Sequence, residues 1–167
     1  IFLVYCAIEF SVGIWGSSYL VISKDILVST AATIVTIYYF GITIGRFISG
    51  VLSFKLSNKI LMFGGIGFLF IGGLLLLVSS SIIMTTFAFG ILGIGLAPIF
   101  PSMIHDTPKN FGKKNSQYII GYQVAFAYLG SAIFPASFGL LYSHISIGIF
   151  PLTIFILSAV LLVLIVT

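Results

Sequence analysis

Six stretches of this 167-residue chain are apolar for long enough to cross a lipid bilayer, and no other feature narrows its fold so far. They lie at about 1–21, 31–53, 60–79, 82–104, 118–141 and 148–167. Each is near the ~20 residues that cover ~30 Å of hydrocarbon at a helical rise of 1.5 Å per residue. In lipid, every backbone donor and acceptor must be satisfied within the chain, so such runs become helices. Composition closes off the alternatives. Hydrophobic residues make up 60% of the chain and charged residues 6%. A soluble domain carries about 25% charged residues. There is too little polar surface here to meet water all round.

The net charge of +4 does not point to nucleic acid, because the lysines gather in two loops rather than on one face. Lys55 and Lys59 mark one loop, and Lys109, Lys113 and Lys114 the other. Helix counting puts both loops on one side. The other side has only Lys24, beside Asp25. The positive-inside rule makes the lysine-rich side cytoplasmic, in a plasma-membrane protein with both ends of the chain inside. The single cysteine, Cys6, forbids an internal disulfide and any cysteine-rich metal site.

The first run is not a signal peptide. It lacks a basic start, contains Glu9 and is followed by further spans. The chain opens at Ile1 and closes at Thr167 inside apolar runs, as a piece of a longer protein would. The expected architecture is all-α: one six-helix transmembrane bundle built as two inverted three-helix repeats. Residues 1–104 hold the first three helices and a fourth, 105–117 form a cytoplasmic loop, and 118–167 hold the last two. Three is an odd number, so a second triplet runs inverted to the first, a plan used by secondary transporters. The longest linker, 105–117, is the expected divider of the chain.

Glu9 is the residue that asks for a function. A carboxylate inside a span costs a few kcal/mol and persists with a partner, a water path or a proton. A protonated glutamate that merely bonds two helices is the plain alternative. Tyr5, Glu9, Gly13 and Gly16 share a helical face, with Trp15 nearby. In the second span Thr36, Tyr39, Thr43, Arg46, Gly50 and Ser53 recur at three- and four-residue spacing. A polar face in a span looks into the protein or a water path. In the fifth, Gln123 has Tyr122 and Phe126 beside it, suited to a polar ring-shaped ligand or to an interhelical hydrogen bond. Tyr5, Glu9, Tyr39, Tyr122 and Gln123 are therefore candidates for a solute or proton pathway. Arg46 either snorkels to the interface, pairs with an acid or holds helix carbonyl ends at a gate. His105 and Asp106 read as the start of a solvated loop, and His144 as an outer-loop residue without chemistry.

Small residues and prolines mark how the helices meet. Gly41 and Gly45 form a small-xxx-small pair that Gly50 continues, and Gly90, Gly93, Ala97 and Pro101 recur in the fourth span. Pro98, Pro101 and Pro135 remove backbone donors and should bend their helices.

These residues carry a resemblance. Gly41-Ile42-Thr43-Ile44-Gly45-Arg46-Phe47-Ile48-Ser49-Gly50, with Lys55 and Lys59 following, resembles the second-half copy of the major-facilitator loop signature. Gly50, Lys55 and Lys59 match it, which makes them and Arg46 candidates for a cytoplasmic gate. Phe54 stands where the signature has aspartate, and Ser57 where it has a second glycine. The stretch from Tyr5 through Glu9, Ser11, Gly13 and Trp15 to Tyr19-Leu20 is similar to the fucose-permease-like group. So is Gly93-Ile94-Gly95-Leu96-Ala97-Pro98-Ile99-Phe100-Pro101, with Thr107-Pro108 and Gly121-Tyr122-Gln123. The resemblance spans all six helices. It implies helices seven to twelve of a twelve-helix, proton-linked porter for a sugar or similar solute, with a missing N-terminal six-helix half as partner.

No enzyme is expected. The chain has no phosphate-binding glycine loop, no zinc-spaced histidines and no Ser-His-Asp set, so no cofactor or metal is implied. A scaffold or assembly subunit that carries nothing stays open, as does a drug or metabolite exporter of the same superfamily. A six-helix channel would need a repeated filter loop or charged ring that the sequence lacks.

Overall fold

The structure, a computed structural model, describes residues 1–166. The last predicted span ends at Thr167, which lies outside them. Every regular element among the described residues is helical. The helices are α1 (Phe2–Lys24), α2 (Val28–Leu52), α3 (Asn58–Val78), α4 (Ile82–Leu96), α5 (Ile99–Phe111), α6 (Lys113–His144) and α7 (Phe150–Val166). A 3-10 turn at Ile147–Ile149 leads into α7. Six passages are long and apolar enough to span; α4 and α5 together make the fourth.

Local chemistry sets the ends. Asp25 adopts a left-handed conformation, φ 51°, and stops α1 with its own N–H and that of Ile26 turned back to the Leu20 carbonyl. Ser57 and Ser81 cap α3 and α4 by accepting from the N–H groups of Ile60 and Met84. Gly112, φ 78°, separates α5 from α6.

Two expectations are corrected here. The 105–117 segment is not a loop: α5 runs to Phe111 and α6 starts at Lys113. A polar sequence signals exit from the membrane, not the end of a helix. Ser102, Met103 and Thr107 stay buried along one face, and Lys109 suits the negative end of the helix dipole. Nor does this segment divide the triplets, because it follows the fourth spanning passage. The triplets α1–α3 and α4–α7 meet instead at Ser79–Ser81.

The packing is reciprocal, as an inverted repeat requires. The first helix of each triplet packs on the second of the other, α1 on α6 and α4 on α2. The third of each also packs on the first of the other, α3 on α4 and α7 on α1. Glycine permits the closest of these approaches. A Cβ on Gly41 would stand 2.5 Å from the Gly90 carbonyl oxygen, and one on Gly93 would run into the Tyr38 carbonyl. With no hydrophobic drive between helices in lipid, such backbone proximity is what holds α2 to α4. Gly50 is different. Nothing lies within 4 Å of where its Cβ would be, so it opens onto a cavity and does not extend the packing series.

The prolines act unevenly. Pro98 falls at the junction of α4 and α5, and Pro101 sits in the first turn of α5, where no helical donor is needed. The fourth passage is thus interrupted at Ala97–Pro98, where both residues keep right-handed helical angles. Pro135 lies within an uninterrupted α6, and its carbonyl accepts from the Trp15 indole N–H at 2.8 Å.

Lys24 donates to the Ser79 carbonyl, which ties the α1–α2 and α3–α4 joints together at one end. Asn58 bonds His105 and Asp106 at the other. The lysine-bearing joints therefore share an end of the bundle.

Candidate functional site

Glu9 and Arg46 form an ion pair, Oε1 to Nη2 3.2 Å, between α1 and α2. Glu9 lies seven residues after the start of α1, and Arg46 six before the end of α2. At 1.5 Å per residue, both sit about 10 Å in from the lysine-rich end. The helices run antiparallel, so equal distance from the shared end brings the two charges level.

The surroundings fix the pair. The Tyr38 hydroxyl donates to the Glu9 carbonyl at 3.0 Å and ties α2 to α1 at that turn. Tyr5 is fully buried, and its hydroxyl faces both Glu9 and Arg46 without meeting hydrogen-bond geometry to either. Tyr38 and Tyr39 stack edge to face at 5.1 Å. The Tyr39 hydroxyl lies where a side chain on Gly13 would be, so that glycine admits the ring.

Two cavities meet at Arg46. The first, about 370 Å³, opens among α1, α2, α5 and α6; Cys6, Glu9, Phe100, Tyr128 and Ser131 contribute to its wall. The second, about 280 Å³, lies toward the lysine-rich end, against Ser49, Ser53, Asn58, Ser102 and His105. Arg46 and Pro101 line both. The interrupted fourth passage is the partition: Phe100 faces one cavity, Pro98, Ser102 and His105 the other, and Pro101 stands between them.

The predicted site residues do not all converge. Glu9 and Tyr5 lie together at the pair. Tyr39 is close by but lines neither cavity. Tyr122 and Gln123 line a separate groove with Ile1, Phe2 and Leu3. Gln123 is held there by two contacts with the Thr107 hydroxyl, 2.9 and 3.1 Å, which join α6 to α5. Among the gate candidates, Arg46 and Gly50 line the second cavity, and Lys55 and Lys59 line neither.

Residues that the sequence did not flag complete the picture. Asn58 bridges the Asp106 carboxylate at 2.7 Å and the His105 ring nitrogen at 2.8 Å, so these two are gathered rather than loosely solvated. Ser102, Tyr128 and Ser131 had no signal beyond polarity in a span. The Glu9–Arg46 pairing did have one, in the matched distances of an acid and a base from the same end.

Fixed charges, aromatic rings and hydroxyls around open space between spanning helices can bind a polar solute inside a membrane. No curated protein and no solved structure matches the chain. The family model of the Major Facilitator Superfamily matches residues 1–167, the whole of it. With six spanning passages in reciprocal triplets, the chain is a multi-pass membrane protein and belongs to the major facilitator superfamily of transporters.

Proposed function

We propose that this chain is one six-helix half of a secondary active porter that moves a small polar solute, such as a sugar, by proton-coupled symport. The missing half is an N-terminal six-helix bundle, and the two rock about a central site in alternating access. The lysine-rich end faces the cytoplasm and the membrane is the plasma membrane. The observation that carries this reading is the Glu9–Arg46 pair, a charge pair within the spans that borders a cavity. Intramembrane charges facing open space mark ion and substrate paths.

Glu9 is the proton carrier in this scheme and Arg46 its counter-charge. Glu9→Gln in the full-length protein keeps a hydrogen-bonding head and removes the titration. Proton-driven accumulation is expected to collapse, while solute exchange persists, because exchange need not release the proton. Full accumulation with the amide in place would end the proton role and favour a purely structural glutamate. The orientation has its own check. Cysteines at Ser57 and Asn115, in a Cys6-free background, should react with impermeant thiol reagents only from inside the cell.

A further inference from the structure

We propose that the solute carries a carboxylate, which Arg46 binds in competition with Glu9 and passes to the second cavity, where the Ser102 hydroxyl is a further ligand. This rests on the porter reading and narrows its solute to small hydroxylated acids.

Three observations carry it. First, the pair is lopsided. The Arg46 side chain is 48% accessible and that of Glu9 17%, so it is the cation that faces the open space. Its guanidinium has five N–H donors, and the ion pair engages one nitrogen. A planar fork with free donors suits a carboxylate better than a neutral hydroxyl. Second, Arg46 borders both cavities, so a group bound there has contact with each without leaving the cation. Third, Ser102 lines the second cavity, and its hydroxyl has no hydrogen-bond partner among the described residues. Some serines in these helices turn back to their own backbone, as Ser49, Ser53 and Ser131 do, and Ser102 does not. The Ser102 hydroxyl opens on the cavity and is not sealed from it, so it is free to bond a group that enters there.

The competition has a simple charge balance. With Glu9 ionised, Arg46 is neutralised within the protein. When Glu9 takes a proton, its carboxylate charge is gone, and a solute carboxylate restores neutrality at the guanidinium. One proton and one anion therefore enter the site together. The titratable or charged groups facing Glu9 are Tyr5 and Cys6 on its own helix and Tyr38, Tyr39 and Arg46 on α2. Tyr128 of α6 lies across the cavity. Arg46 is the only cation among them. Asp106, the other acid at this end, is engaged by Asn58.

The test uses two ligands of one shape, glucose and glucuronate, with acetate, lactate and gluconate added to cover size. Thermal stability of the purified full-length protein is read as each is titrated. Glucuronate or a smaller acid should stabilise it, and glucose should not at equal concentration. Glu9→Gln should tighten acid binding about 2- to 5-fold, the range of a half-exposed ion pair removed as competitor. Ser102→Ala should weaken it about 10-fold, as loss of a hydrogen bond to a charged group does. Arg46→Gln should abolish it. The tightening by Glu9→Gln cannot arise from misfolding, so the proposal does not depend on the arginine variant being stable. Equal stabilisation by glucose and glucuronate, no response to any acid, or weaker acid binding in Glu9→Gln would each overturn it. Uptake in proteoliposomes separates this from the wider reading. Saturable uptake of a neutral solute that acids do not inhibit would sink the carboxylate and leave the porter, whereas no uptake of any solute would sink the porter.

Discussion

The two ends of the bundle are built differently. At the end carrying Lys24 and Ser79, rings fill the space. Tyr19 stacks on Phe150 at 4.9 Å, Phe150 also meets Phe89 and Tyr142, and Trp15 stands edge-on to Tyr142 at 5.7 Å. At the lysine-rich end the same helices enclose two cavities, and polar contacts join the ring contacts of Phe100 with Phe2 and Tyr5: Glu9 with Arg46, Asn58 with His105 and Asp106, Gln123 with Thr107. Close packing makes an interior rigid, because any displacement loses many small attractions at once. Polar contacts around open space can be exchanged one at a time. The filled end is thus the stiffer of the two, and the hollow end the more open to rearrangement.

The strongest way to break that contrast is Phe150→Ala. Phe150 is fully buried and touches three rings, so its loss should cost about 3 kcal/mol or more in thermal or denaturant unfolding. A cost under about 1 kcal/mol would show that the aromatic end is not the rigid one.

Next comes the ion pair. A double-mutant cycle of Glu9→Gln and Arg46→Gln should give a coupling of about 1 kcal/mol, held down by the exposure of Arg46. Solute uptake should fall far more than stability in either single variant. A large stability loss with normal uptake would turn the pair into a structural strut.

Asn58→Ala should cost about 1 kcal/mol, since it removes hydrogen bonds between partly exposed groups. Its sharper effect should be local. A cysteine at Ser102 should react faster with thiol reagents once Asn58 no longer ties α3 to α5. An unchanged rate would deny that contact any part in closing the hollow end.

The smallest effect is expected from Gln123→Leu. Side-chain hydrogen bonds in membranes average ~0.6 kcal/mol, and Gln123 lines a groove apart from Glu9. Solute affinity should stay near normal. A large rise in KM would bring Gln123 back into the central site.

The sequence alone determined the six spans, the gathering of lysines at one end, the odd-numbered triplets and the strangeness of Glu9. These follow from terms that add along the chain: the transfer of each residue into lipid, the backbone's need for internal hydrogen bonds, and the cost of a charge at depth. The helices on either side of Gly112 within 105–117 are not legible in the sequence, because polarity reports solvation, not conformation. Only the tertiary structure decided that Arg46 meets Glu9, that Gln123 turns to Thr107, that Gly50 opens on a cavity while Gly41 is pressed against Gly90, and that Ser102 is left unpartnered. Each depends on how far one helix is rotated about its axis and which neighbour it faces. Spacing along a sequence groups residues on a face, but what that face meets is set by the packing of all the helices at once.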